Sequence, residues 1–99
     1  MTSRQQLKAT QMAGAWLAQF QEMDSDEIAA TLAEARLLGR TGKRNACPIA
    51  TGLSKIVSGC PVWVDNWTAQ VGRSEILIPE NLRLFILLFD TGHFPELER

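Results

Sequence analysis

The segment Pro79-Glu-Asn-Leu-Arg-Leu-Phe-Ile-Leu-Leu-Phe-Asp-Thr-Gly92 limits the possible folds more than any other stretch of this chain. Between Leu82 and Phe89, Arg83 alone is polar. At helical spacing Leu82, Phe85, Ile86 and Phe89 fill one face, which leaves Leu84, Leu87 and Leu88 on the flanks and the opposite side. A chain of 99 residues has too little interior to enclose a helix on every side. Part of this surface is therefore expected to meet another chain, a foreign protein or a second copy.

The rest of the composition fits one globular domain spanning 1–99. Apolar residues make up 45%, with three Trp and four Phe, too many for a disordered chain. The formal net charge of −1 gives no overall attraction to nucleic acid or membrane. Charge is nevertheless segregated: Glu22, Asp24, Asp26, Glu27 and Glu34 precede Arg36, Arg40, Lys43 and Arg44. The opening Met-Thr-Ser-Arg-Gln-Gln-Leu-Lys lacks the apolar core of a signal peptide, and no apolar run approaches the ~20 residues of a membrane span. A cytoplasmic protein with reduced thiols is the expectation.

Ser3 and Gln6 have capping-box spacing, and Ala9, Met12, Ala13, Trp16, Leu17, Phe20 and Met23 follow at helical intervals. These predict a helix over about 4–23. Asp24 and Glu27 repeat the signal before Ile28, Ala29, Leu32, Ala35 and Leu38, predicting a second helix over 25–38 stopped by Gly39. The pair is expected to form a helical hairpin. Cys47 as cap and Pro48 at the first turn open a third helix over 48–58, ended by Gly59 and Pro61. Residues 62–67 and 75–78 read as a β-hairpin with Gly72 in its connection, and the last helix covers 79–89. The fold class is α+β, with helices one and four meeting in the core and a loosely held tail from His93 to Arg99.

Chemistry-bearing motifs are sparse. A helix over 48–58 separates Cys47 from Cys60 by roughly 18 Å, whereas a disulfide needs Cα atoms within ~7 Å. Asp65, Asp90 and His93 lack the spacing of zinc ligands, so no metal or cofactor is expected. Cys47 alone sits where a helix dipole and the basic Lys43 and Arg44 favour thiolate, and His93 with Asp90 could complete a nucleophile–base set. A single His in a tail is a poor general base, and a small buried capping residue explains Cys47 more simply, so no enzymatic activity is expected.

The basic loop Gly39-Arg-Thr-Gly-Lys-Arg44 resembles the glycine-x-x-glycine loop by which KH modules hold a nucleic-acid backbone. Arg40, Lys43 and Arg44 would contact phosphate, and Trp63 and Trp67 could stack on bases. A strand before the first helix is missing from that pattern, and a turn with solvated arginines accounts for the loop. Trp63 and Trp67 are four residues apart on a β-ribbon that cannot turn both inward, so an exposed Trp is available as an interface anchor.

From Cys47-Pro-Ile-Ala50, through the valine-rich stretch and Pro79, to Phe89-Asp-Thr-Gly-His-Phe-Pro-Glu-Leu97, the order of motifs resembles small uncharacterised proteins of actinobacteria and their phages. That resemblance covers about half of the chain and implies a small accessory protein of a phage or mobile element, with inhibition of a host protein as its expected role. It implies no catalytic residue. The residues themselves point to a non-enzymatic protein-binding protein, possible as a homodimer through helix four or the β edge. Its contact residues are Leu84, Leu87 and Leu88 with Trp63 or Trp67, and nucleic-acid binding through residues 39–44 is the alternative.

Overall fold

The computed structural model of the chain describes residues 3–41, 46–57, 59–65 and 67–98. The fold is α+β: three helices, a three-stranded antiparallel sheet, a fourth helix and a terminal 3-10 turn. Helix α1 spans Ser3–Ala18, α2 spans Ser25–Glu34 and α3 spans Pro48–Ile56. Strands β1 (Val62–Val64), β2 (Thr68–Val71) and β3 (Ser74–Leu77) form a meander, followed by α4 (Glu80–Asp90) and the 3-10 turn Pro95–Leu97.

Each helix end has a local cause. At α2 the Glu27 amide donates to Asp24 Oδ1 at 2.8 Å, and the Asp24 amide donates to Glu27 Oε1 at 3.2 Å, completing the expected capping box. At α3 the Ala50 amide donates to Cys47 Sγ at 3.4 Å, with Pro48 in the first turn. Helix α2 stops earlier than the apolar spacing predicts. Arg36 adopts φ +57°, the Leu37 amide bonds to the Leu32 carbonyl at 2.9 Å, and the Arg36 amide bonds to Ala33 at 3.0 Å. This is a Schellman end with arginine in the left-handed position that glycine usually takes. Gly39, expected as the stop, instead lies against the backbone of the segment opening α3, where a Cβ would come within 2.5 Å of Pro48 N.

Two strands were expected and three form. The run 62–67 is broken because the Asp65 carboxylate accepts the amides of Trp67 at 2.8 Å and Thr68 at 2.7 Å, turning the chain back on itself. The new strand β2 then pairs Val62↔Val71 through Val64↔Ala69 on one side and Thr68↔Leu77 through Val71↔Ser74 on the other. Gly72, at φ +59°, opens the two-residue turn between β2 and β3. The Gln6 side chain holds that turn with both ends of its amide: Nε2 donates to the Val71 carbonyl at 2.9 Å, and Oε1 accepts the Arg73 amide at 3.2 Å. Gln6 therefore serves the sheet, and not the capping box that its spacing from Ser3 predicts.

The buried side chains form one contiguous cluster that includes Phe20, Leu32, Ile49, Leu53, Val71, Phe85 and Phe89. Helix α1 ends at Ala18, and Phe20, in the following turn, is fully buried with its ring edge-on to Trp16, the centroids 5.0 Å apart. The elements divide the core between them. α1 packs on α3 and on β2 and β3, whereas α2 packs on α4 and the terminal turn. Helices one and two thus follow each other as a hairpin in sequence while finding their main partners elsewhere. Gly52 admits the Trp16 ring, which would lie 2.5 Å from any Cβ placed there.

The C-terminal segment is docked, contrary to the loose tail expected. Phe94 is buried and stacks on Phe85 with centroids 5.3 Å apart, and Leu97 is fully buried. The Gly39 amide donates to the Leu97 carbonyl at 2.8 Å, and Gly39 bridges Glu98 in parallel. Burying one phenylalanine and one leucine supplies about 3–6 kcal/mol of apolar transfer, enough to offset ordering of a short segment.

Candidate interaction face

Helix α4 has the two faces that its sequence predicts. Leu82, Phe85, Ile86 and Phe89 are buried, while Leu84 and Leu87 stay 52% and 49% exposed. Leu88 belongs to neither set. It is half-buried and packs against the core, because its position on the helix wheel faces the flank and not the solvent.

Trp67 joins the exposed face from the sheet. The Asp65 turn places it immediately before β2, and the Ile78 amide fixes its backbone by donating to the Trp67 carbonyl at 3.0 Å. The residue remains 62% exposed. The Arg83 guanidinium lies over the Trp67 ring, 3.5 Å from its centroid, a cation–π contact worth about 0.5–2 kcal/mol. Trp67, Glu80, Arg83, Leu84 and Leu87 together line a groove of about 270 Å³. Within it Arg83 Nε is buried and has no hydrogen-bond partner among the described residues. The groove therefore combines a flat aromatic, two leucines, a carboxylate and a guanidinium donor.

Trp63 is also exposed, but elsewhere. It stands on the outward side of the sheet opposite Gln70 and borders a separate, more polar depression with Asp65, Thr68, Gln70 and Glu75. Of the five residues expected at an interface, the fold thus gathers Trp67, Leu84 and Leu87, sets Trp63 apart and leaves Leu88 half-buried on the flank.

In the basic loop, Lys43 and Arg44 lie outside the described residues. Arg40 is exposed, but its amide donates to the Ala46 carbonyl at 2.7 Å, and the Gly39 amide is taken by Leu97. Backbone donors at these two positions are committed to the fold and do not face a phosphate.

Cys47 and Cys60 are free, buried thiols. Burial pushes the Cys47 thiol from 9.0 up to about 11, helped by the charge of Asp90 and opposed by the Ala50 and Ile49 amides. Desolvation thus outweighs the helix dipole that favours thiolate. The His93 ring is exposed, its Nδ1 2.9 Å from Thr91 Oγ1. Among the described residues no group of three or more His, Cys, Asp or Glu side chains could hold a metal ion. No described helix is long and apolar enough to cross a membrane.

Three side chains matter more than their local sequence suggests. Gln6 and Asn81 act over long range; the Asn81 amide donates to the Phe20 carbonyl and, at 2.8 Å, to that of Met23, tying α4 to the turn between α1 and α2. Leu77 is 79% exposed on β3. Its alternation with Ile76 and Ile78 was the available signal. Comparison of the chain with protein-family models, curated proteins and solved structures finds no match in any of the three.

Proposed function

We propose that this chain is a non-enzymatic accessory or inhibitory protein that binds another protein through the exposed face of α4 and Trp67. The observation that carries this reading is the grouping of Trp67, Leu84 and Leu87 around Arg83 on one surface. Tryptophan and arginine are the residues that most often dominate binding energy. Covering the exposed halves of the two leucines adds roughly 1 kcal/mol each. Glu80 and the exposed acids of α2 (Asp26, Glu27 and Glu34) supply charge for orienting an approaching partner.

The test is affinity capture from lysate of the source cell with the parent chain, Leu87→Asp and Trp67→Ala. The reading predicts a protein retained by the parent and lost with both variants, while their circular dichroism remains that of the parent. Retention by both variants, or unfolding of Leu87→Asp, contradicts it. A partner lost on nuclease treatment instead would point to nucleic acid.

A further inference from the structure

We infer that the free edge of β3 pairs with β3 of a second copy, joining two three-stranded sheets about a two-fold axis at Ile76. The backbone pattern decides which groups are available. The β2–β3 hairpin closes on Val71↔Ser74, and the Ile78 amide bonds to the Trp67 carbonyl at 3.0 Å. In an antiparallel pair such positions alternate, so Ser74 and Ile76 spend their amides and carbonyls on β2. Those of Glu75 and Leu77 point away from it. No other described element forms a backbone hydrogen bond with them. Leu77, at 79% the most exposed large apolar side chain described, stands on this open edge.

Register selects a second copy of this strand as occupant. Three symmetric antiparallel registers set an outward residue opposite an outward residue. Glu75 on Glu75 places two carboxylates face to face, which is unfavourable. Leu77 on Leu77 sets Glu75 opposite Pro79, which has no amide to give. Glu75 on Leu77 forms reciprocal bonds at both ends of the strand, keeps like charges apart and brings Ile76 against its own copy. The strand is self-complementary in that register alone.

Helix α1 supplies a second surface beside the same edge. Leu7, Thr10 and Gly14 form one stripe by their spacing, and Thr10 Oγ1 donates to Ser74 Oγ at 2.8 Å, which fixes the stripe next to β3. Leu7 is 60% exposed, and a Cβ built on Gly14 would meet nothing within 4 Å. Pairing of the strands brings the two α1 stripes toward each other under the joined sheet and covers Leu7. This contact is separate from the Trp67–Leu87 groove, so either can fail without the other.

The experiment is light scattering and amide hydrogen exchange on the parent chain over a concentration series, with cysteine scanning of β3. The mass should rise from 11.0 kDa toward twice that value, and exchange at Glu75 and Leu77 should slow in step. Residues facing across the axis have Cα atoms about 4.5 Å apart, within reach of a disulfide. Under oxidation Ile76→Cys should give a covalent dimer well before Glu75→Cys or Leu77→Cys, whose copies are offset by two residues, and Leu87→Asp should leave self-association unchanged. A parent chain that stays monomeric, with Glu75 and Leu77 exchanging at a concentration-independent rate, overturns the inference. Faster crosslinking at 75 or 77 than at 76 overturns the register.

Discussion

Replacing Leu82 by Ala and, separately, Leu87 by Lys separates the two faces of α4 by their energetics. Leu82 is fully buried, and truncating such a leucine costs about 2–5 kcal/mol through lost transfer energy and the cavity left behind. Leu87 is half exposed and lies in the last turn of the helix. Lysine there keeps good helix propensity, lays its aliphatic stem along the same surface, and gains about 0.3–1 kcal/mol from the helix C-terminus. The net change is expected within about 1 kcal/mol. For a domain of this size each kcal/mol shifts Tm by roughly 4–8 °C. Leu82→Ala should therefore lower the melting temperature by about 8–40 °C, and Leu87→Lys by less than about 8 °C, read by circular dichroism. A loss at Leu87→Lys equal to that at Leu82→Ala would show that Leu87 is a core residue, and the argument for a partner face would collapse.

Further outcomes follow from three particular side chains. The Cys47 thiol is neutral until the pH nears 11, so its alkylation in the folded protein should stay slow through pH 9, whereas a rapid reaction at pH 7 would contradict the burial argument. Because the folded protein holds that proton above the unfolded value of 9.0, the stability contributed is intact below pH 9 and is lost as pH rises toward 11, by up to about 2–3 kcal/mol in urea titrations. Arg36→Gly should stabilise the chain by about 0.5–1 kcal/mol, since glycine holds the left-handed position without the steric cost; a destabilised variant would show that the arginine side chain is needed. Leu97→Ala should cost about 2–5 kcal/mol in the urea midpoint, and a neutral result would return the C-terminal segment to the loose tail first expected.

The helices were legible because their signals are local. The apolar run of α4, the Asp24–Glu27 box and the Cys47-Pro48 opening each act within a turn or two. The split of α4 into a buried quartet with Leu84 and Leu87 outside could be read from spacing alone. The third strand was legible in principle: Asp65 is a turn former, and Thr68-Ala-Gln-Val71 alternates, but a β-rich run read without its turn hides the break. Phe94 and Leu97 likewise have the three-residue spacing of a tight helical turn, and only docking on Phe85 gives that spacing meaning. What could not be read is the long-range polar work. Gln6 meets the β2–β3 turn across more than sixty residues of chain, and Asn81 meets the turn between α1 and α2 across a comparable distance. Their local surroundings suggest only a helix surface. The same holds for Trp67, whose pairing with Arg83 depends on the turn at Asp65.

Site-specific photocrosslinking reads most directly whether the surface around Leu87 meets another protein. A photoreactive residue introduced at Leu87 should yield a discrete protein adduct in cells, with none at Ser54, an exposed position on α3. The adduct should vanish when Trp67→Ala is added. No adduct at position 87 beyond that at position 54, or one indifferent to Trp67, would contradict the assignment of this face as a protein-binding site.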